Sequence, residues 1–161
     1  MKLALDHLTV TDTTPIDLVR AAEATQCESF CLFMQSLEVL PRMPEFNLIG
    51  SSAEQRDLKA AMQASSVKLD MAYPFTLGGR TDVKAFLPGL ECAALVGAEF
   101  VNALVSDRDN ARREGNFLTF AEMAMHHGLK AVVEFFPASH FASLEDALAL
   151  GNLEDTRYKF G

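Results

Sequence analysis

Short apolar segments alternate five times with amphipathic segments along this chain, and that alternation limits the possible folds more than any other feature. A strand followed by a helix, repeated, is typical of parallel βαβ units joined by right-handed crossovers. The pattern therefore predicts an α/β protein with about five parallel strands. The predicted strands cover residues 3–10, 30–34, 67–75, 100–106 and 130–137.

Capping and stop signals place a helix after each predicted strand. Thr14 is followed by a proline at the first helical position and by Asp17 at the third, a combination that favours a helix ending near Ala24. Serines, a proline and glycines mark the ends of the other helices. These helices are predicted at residues 52–64, 88–96, 116–127 and 143–150.

We expect a single α/β domain over residues 1–161, with strand–helix units over 1–150 and a polar tail over 151–161. The alternation alone leaves two architectures open. One is a five-stranded doubly wound parallel sheet, which fits the length of the chain. The other is a partial (β/α)8 TIM-type barrel, because a full barrel normally needs about 250 residues.

The charge balance argues against two classes of partner. The net charge is −8 and the pI is about 4.9, so the chain lacks the basic surface that nucleic acids and anionic membranes attract. Asp6 interrupts the N-terminal apolar run before a signal-peptide core could form, and we expect a cytoplasmic protein. Cys27, Cys31 and Cys92 are expected to be core thiols, with a zinc site as the less favoured alternative.

Glu134 is the leading candidate for a functional residue because it lies inside the apolar run KAVVEFFP. An unpaired carboxylate in a buried strand is costly, so it needs a metal ion, a cationic partner or exposure at the strand end. Parallel α/β folds build their sites at the carboxyl ends of strands, where Glu134 is predicted to lie. The alternative is a structural glutamate that surfaces at an edge strand or pairs with a nearby Lys or Arg.

Three groups of segments together match a known pattern. They are LALDHLTV with TPIDLVRAAEA, LPGLECAALVGAEFVNALVSD, and GLKAVVEFFP with SLEDALAL. In order and spacing the chain resembles the sugar phosphate isomerase/epimerase group of the xylose isomerase-like TIM barrels, over nearly everything up to Gly151. The resemblance implies strands in the order 1-2-3-4-5, whereas a doubly wound sheet would place the third strand beside the first.

The resemblance also implies a role for Glu134. In that family a glutamate at the end of the fifth strand is the first of a set of divalent-metal ligands, so Glu134 is expected to be a catalytic ligand of Mg²⁺, Mn²⁺ or Zn²⁺. The other family ligands, an acid, a histidine and another glutamate, come from strands six to eight. No sixth strand is predicted after Leu150. We therefore expect either a truncated barrel or a barrel whose missing strands come from another chain.

The implied function is a divalent-metal-dependent isomerase or epimerase of a small sugar, sugar phosphate or hydroxycarbonyl compound, incomplete and inactive as an isolated chain. The alternative is a non-catalytic half-barrel that serves as an oligomerisation or interaction module. Open edges on the first and fifth strands predict a homo-oligomer. DNA repair is not expected, since the additional histidines that the related endonuclease IV carries on earlier strands are absent from the corresponding strand ends.

The sequence departs from the family pattern after the first helix. Thr25 and Gln26 stand where the family commonly has a glycine. A glycine ends a helix with little strain because it adopts the left-handed conformation freely. This helix is therefore expected to end in a less favourable conformation.

Other polar residues, one within the first predicted strand and two near the ends of the third and fourth, are further site candidates. His7, Asp70 and Asp107 could bind substrate, although a core histidine and ordinary strand-end acids would give the same pattern. His140, just beyond the fifth strand, is a candidate second metal ligand.

Two short basic motifs predict no site by themselves. The sequence Gly78-Gly79-Arg80 is too short to indicate a phosphate site, and it lacks the longer glycine-rich patterns of nucleotide-binding loops. The charged run at residues 108–113 is expected to form a solvated turn.

Overall fold

A computed structural model describes residues 2–158, with side chains described for residues 2–151. The strands are β1 (Ala4–Asp6), β2 (Ser29–Phe33), β3 (Lys68–Leu77), β4 (Phe100–Val105) and β5 (Lys130–Glu134). The helices are α1 (Pro15–Ala24), α2 (Ser52–Ala64), α3 (Leu87–Val96), α4 (Asn110–His126) and α5 (Leu144–Tyr158).

The strands lie in one parallel sheet in the order β1-β2-β3-β4-β5. This sequential order confirms the partial-barrel prediction and excludes the doubly wound alternative, in which β3 would lie beside β1. No helix within residues 2–158 is both long and apolar enough to cross a membrane.

The chain divides into two compact units, which are described separately. The first comprises residues 2–73 with Glu91–Glu99, and the second comprises Pro74–Leu90 with residues 100–158. The first unit is centred on fully buried apolar side chains of α1, β2 and α2: Leu18, Ala22, Phe30, Leu32 and Leu58. The second unit is centred on β4, α4 and the segment before α5, where the fully buried side chains include Val101, Ala103, Phe117, Phe120 and Phe141.

Helix α1 forms as its capping sequence predicts. The Thr14 hydroxyl oxygen accepts a hydrogen bond from the Asp17 N–H at 3.2 Å, and Pro15 takes the first helical position, where no N–H is needed. The helix ends at Ala24, after which Gln26 has a φ of +60°. The prediction of an unfavourable helix end is therefore confirmed, because this conformation favours glycine.

The first and third strands differ in length from their predictions. The first ends at Asp6 rather than Val10, because the Asp6 carboxylate accepts a hydrogen bond from the Leu8 N–H at 2.8 Å and starts a short 3-10 helix. The third runs past the predicted residue 75 to Leu77, whose carbonyl accepts a hydrogen bond from the Ser106 N–H at 3.0 Å. Asp70 is thus the third residue of β3 and lies near its start, not near its end as predicted.

The last two helices are longer than predicted. Helix α4 starts at Asn110 rather than near residue 116, because the Asp109 carboxylate caps the Arg112 N–H at 2.9 Å. Residues 108–113 are therefore not simply a solvated turn, since most of them belong to this helix. Helix α5 passes the predicted stop at Gly151 and continues to Tyr158, because Gly151 does not adopt the left-handed conformation that ends a helix. Residues 159–161 of the predicted polar tail lie outside the described residues.

Candidate active site

Glu134 is the last residue of β5, and its side chain is exposed. In the parallel ladder Glu134 lies opposite Leu104 of β4. Side chains alternate between the two faces of a strand, and Val101 and Ala103 of β4 are fully buried on one face. Glu134 therefore projects from the opposite face, on the same side as Asn102 and Leu104.

Asn102 holds the Glu134 carboxylate. Its Nδ2 donates a hydrogen bond to Glu134 Oε2 at 2.5 Å, and the Asn102 side chain is only 6% exposed. A hydrogen bond to a charged acceptor is stronger than one between neutral groups. Glu134 Oε1 has no hydrogen-bond partner among the described residues. The carboxylate is therefore oriented through one oxygen, and its other oxygen is left available to a ligand.

The sequence analysis did not identify Asn102. The signal was present, because Asn102 is the one polar residue in the apolar strand FVNALV. The reasoning that selected Glu134, that a polar group in an apolar strand needs a partner, applies equally to a buried amide. The structural alternative for Glu134 had two forms. The exposed side chain at the end of the edge strand β5 matches the first form. The second form required a Lys or Arg partner, and none of the ion pairs among the described residues involves Glu134.

Asp107 follows β4 by two residues, and its buried carboxylate forms an ion pair with the half-exposed Arg112. Its carboxylate accepts hydrogen bonds from Arg112 Nε at 2.6 Å and Nη2 at 2.7 Å, and from the Asp109 N–H at 3.0 Å. The Arg112 guanidinium and these other hydrogen bonds lower the pKa of Asp107 to about 2. Both carboxylate oxygens accept hydrogen bonds, so Asp107 fixes the position of Arg112 and of the turn at Asp109. Its predicted role in substrate binding stays a prediction.

His7 lies immediately after β1, within an aromatic cluster. Its ring stacks on Phe46 at 5.9 Å between centroids and contacts Phe33, and its side chain is fully buried. His7 Nε2 donates to the Thr13 carbonyl at 3.1 Å, whereas Nδ1 has no hydrogen-bond partner among the described residues. Burial lowers the pKa of His7, which favours a neutral ring. These contacts match the core histidine that the sequence left as an alternative, and a role in substrate binding is untested.

Asp6 and Tyr73 form a second polar pair that the sequence analysis did not identify. The Tyr73 hydroxyl donates a hydrogen bond to Asp6 Oδ1 at 2.7 Å. Burial, together with the Asp6 carboxylate, raises the pKa of the Tyr73 hydroxyl. Burial and the nearby Asp6 and Asp70 carboxylates raise the pKa of the Cys31 thiol to about 12. Tyr73 and Cys31 are therefore neutral at pH 7, and the thiol is not poised to act as a nucleophile.

The second predicted metal ligand, His140, stays a prediction. His140 is exposed in the loop after β5, and it forms no hydrogen bond with other described residues. Within the described part of the chain, no three His, Cys, Asp or Glu side chains form a group able to hold a metal ion. All three cysteines are free thiols, and Cys31 and Cys92 are buried as core thiols should be.

A concave surface of the first unit lies at the opposite end of the strands from the candidate site. It encloses about 870 Å³ and is lined by residues at the amino ends of β2 and β3, including Ser29 and Lys68, and by helix ends that include Gln26 and Gly97. Enzymes with parallel barrels build their sites at the carboxyl ends of the strands. We therefore place the candidate site at the end of β5.

The fold is that of known barrel proteins, although no family model and no curated protein matches the sequence. The chain superposes on the IolI protein with a bound zinc atom at a TM-score of 0.71, with 15% identity, over 96% of this chain and 59% of that one. It superposes on D-psicose 3-epimerase in the presence of D-fructose at 0.68, with 10% identity, over 94% and 59%.

A further similar structure is a xylose isomerase-like TIM barrel protein from Mycobacterium smegmatis in complex with magnesium. Its TM-score is 0.63 at 10% identity, over 96% of this chain and 61% of that one. The chain thus spans about three fifths of the length of these three structures. Identities this low show the fold alone, which is a TIM-type barrel over five strand–helix units.

Proposed function

We propose that this chain contributes to a divalent-metal-dependent isomerase or epimerase that acts on a small sugar-like or hydroxycarbonyl substrate. The observation that carries the proposal is the hydrogen bond from Asn102, inside β4, to Glu134 at the carboxyl end of the neighbouring strand β5. Similarity to a zinc-bound protein, a magnesium complex and a sugar epimerase supports it. Glu134 is the proposed metal ligand and catalytic residue.

The residues present fit one ligand of such a metal, not a complete set. An ionised carboxylate with one oxygen fixed by a buried amide is a common arrangement for a metal ligand, because the outer hydrogen bond orients the ligand. A Mg²⁺, Mn²⁺ or Zn²⁺ ion requires several ligands, and we assign the others to residues outside the described part of the chain. When bound, the ion would polarise a carbonyl and hydroxyl pair of the substrate.

The roles of the chain's own residues follow from their contacts. Asn102 is buried, so its amide cannot rotate freely and holds Oε2 of Glu134 in one orientation. Glu134 Oε1 then faces solvent or a ligand without competition from a Lys or Arg of the described residues. The proposed function of Asn102 is to position Glu134, and it need not touch the substrate.

The test uses Mn²⁺ added to the full chain and NMR of its backbone amides, because a paramagnetic ion broadens nearby signals even when it binds weakly. Broadening should centre on β4 and on Glu134 and should be absent in Glu134→Gln. The matched control is Glu145→Gln, an exposed acid in the first turn of α5, which should broaden as the unmodified chain does. Broadening that persists in Glu134→Gln would overturn the proposed metal role.

A melting experiment without metal separates this role from a structural one. The amide oxygen of Gln at position 134 can still accept the hydrogen bond from Asn102, so the free energy of unfolding should change by no more than about 1 kcal/mol. A larger loss of stability, with unchanged Mn²⁺ broadening, would mean that Glu134 is a structural residue.

A second candidate is a non-catalytic module for homo-oligomerisation. The observation that favours it is a group of exposed apolar side chains in and around the last strand–helix unit: Phe135, Phe136, Leu144 and Leu148. Apolar groups near an open strand edge favour association with another copy. Self-association in light scattering, with no broadening by Mn²⁺ around Glu134, would favour this candidate over the enzyme.

A further inference from the structure

Two turns of the second unit contact each other, although neither one predicts a binding site by itself. The first is the turn of residues 78–81, closed by a hydrogen bond from the Thr81 N–H to the Gly78 carbonyl at 3.1 Å. The second is the turn after β4 that contains Asp107. A Cβ atom on Gly79 would lie 3.1 Å from Arg112 Nη2 and 3.4 Å from Asp107 Oδ1. The backbone of the first turn therefore lies directly against the ion pair of the second.

The junction between these two turns has several hydrogen-bond donors that have no acceptor among the described residues. Arg112 uses two of the five N–H donors of a guanidinium on Asp107, and its side chain is 48% exposed. The backbone N–H groups of Gly79 and Arg80 have no hydrogen-bond partner among the described residues. The exposed Ser106 hydroxyl also has no hydrogen-bond partner among the described residues. A Cβ atom on Gly78 would lie 3.5 Å from the oxygen of this hydroxyl.

The buried Asp107 carboxylate makes Arg112 a fixed donor. It binds the guanidinium through two nitrogens, so the outward edge of the guanidinium is oriented before any ligand arrives. Pre-orientation reduces the entropy lost when a ligand binds. The planar guanidinium of an arginine in this arrangement can donate to two oxygens of one phosphate, which the single ammonium group of a lysine does less well.

The local charge is opposite to that of the whole chain. Residues 78–84 and 106–113 together contain five basic and three acidic side chains, in a protein whose net charge is −8. Two of the acids, Asp82 and Asp109, accept hydrogen bonds from backbone N–H groups at helix starts, and the third is Asp107. Arg80 and Arg108 are exposed, next in sequence to Gly79 and Asp107 respectively.

We propose that this junction, defined by Gly79, Arg80, Ser106, Arg108 and Arg112, binds the phosphate group of a phosphorylated sugar. The identification of the substrate rests on the proposed function of Glu134. Ser106 is two residues beyond Leu104, the residue level with Glu134, which places it roughly 7 Å further along the strand direction and one strand across. That separation suits a short sugar whose phosphate end is bound at the junction while its carbonyl end lies near Glu134.

The first test is a titration of the full chain with inorganic phosphate, followed by backbone amide NMR. Saturable shifts should occur at Gly79, Arg80 and Ser106. The double variant Arg80→Gln with Arg108→Gln should weaken phosphate binding about tenfold or more, because it removes two charge-assisted contacts. The charge-matched control is Arg20→Gln with Arg56→Gln, two exposed arginines of α1 and α2 in the first unit, which should leave the affinity unchanged.

The outcomes separate this proposal from the metal proposal. Glu134→Gln should bind phosphate as the unmodified chain does, so loss of Mn²⁺ binding and loss of phosphate binding are independent results. Absence of saturable shifts, or equal weakening in both double variants, would overturn the phosphate site.

A comparison of ligands identifies the group that is recognised. Glycerol phosphate should bind at the same amides as inorganic phosphate. Lactate, whose only charged group is a carboxylate, should bind about tenfold or more weakly, because it carries about −1 at pH 7 and a phosphate monoester carries about −1.5 to −2. Equal binding of lactate would mean a general carboxylate site, and it would overturn the assignment to a phosphorylated sugar. Ser106→Ala tests the hydroxyl, and we expect a smaller loss of phosphate affinity than in the arginine double variant.

Discussion

Three helices of this chain end in the same motif, and only one of them ends without glycine. Just after α1, α3 and α4, a backbone N–H donates a hydrogen bond to the carbonyl five residues earlier. The pairs are Cys27 with Ala22 at 2.9 Å, Ala98 with Ala93 at 3.0 Å, and Leu129 with Ala124 at 3.0 Å. This is the Schellman arrangement, which requires a left-handed residue just before that amide. The left-handed residues are Gly97, Gly128 and Gln26, with φ values of +88°, +75° and +60°.

We therefore predict that Gln26→Gly stabilises the protein. The left-handed conformation costs a residue other than glycine roughly 1–2 kcal/mol. Glycine loses about 0.5–1 kcal/mol more backbone entropy on folding, which offsets part of this relief. The Gln26 side chain is exposed and forms no hydrogen bond with other described residues, so little packing is lost. The free energy of unfolding should rise by about 0.5–1 kcal/mol.

Urea denaturation followed by circular dichroism measures this change, and a thermal melt should show Tm higher by about 1–4 °C. The matched controls are Gly97→Ala and Gly128→Ala. Neither added Cβ would meet another atom within 4 Å, so their cost is conformational. Each should lower the free energy of unfolding by about 0.5–1 kcal/mol, because the same two contributions apply with the opposite sign.

Gly115→Ala provides a control of opposite sign. Gly115 lies within α4 with an ordinary helical conformation and open space around its Cα, so alanine there should stabilise by about 0.5–1 kcal/mol. If Gln26→Gly leaves stability unchanged or lowers it while both glycine variants lose stability, the argument from backbone conformation is refuted.

Further predictions concern charge and association. Asp107 has a pKa of about 2 in the folded protein. The stability that its ion pair with Arg112 contributes is therefore complete above the ordinary pKa range of aspartate and is lost as the pH falls towards 2. The Asp107→Asn variant should lack this loss of stability in acid. The lowered pKa of His7 means that the unfolded chain takes up its proton first, so stability should fall as pH drops below about 6.5, and His7→Gln should reduce this slope. Asn102→Asp sets a second carboxylate beside Glu134, so Tm should fall at pH 7 and recover in acid; an unchanged melt would contradict the pairing. Light scattering should detect a homo-oligomer at micromolar concentration, and a compact monomer would remove that prediction.

The local sequence was sufficient for most of the secondary structure. The cap at Thr14 and the glycine stop after His127 depend on residues within one helical turn of each other, so their signals are contained in a short segment. The same holds for the strained end at Gln26, which was expected because a residue other than glycine stands there. The order of the strands followed from the family resemblance, not from any local signal.

The sequence was misleading where local signals competed. At the start of α4, Asp109 and the later Asn116 can both be read as helix starts, and the cap at Asp109 is the one that forms. At Gly151 a glycine that could end a helix remains helical, since a glycine inside a helix costs only about 1 kcal/mol. The sequence does not reveal which of two weak signals prevails, because the difference depends on the packing of neighbouring segments.

The sequence alone determined which residue types were available and which elements would carry them, including Glu134 at the end of its strand. Only the tertiary structure decided their partners. Asn102 meets Glu134 across 32 residues, Tyr73 meets Asp6 across 67, and Gly79 lies against Arg112. Such contacts depend on strand register and on the path of the loops, which set side-chain positions to within a few ångströms, and no pattern of neighbouring residues encodes those distances.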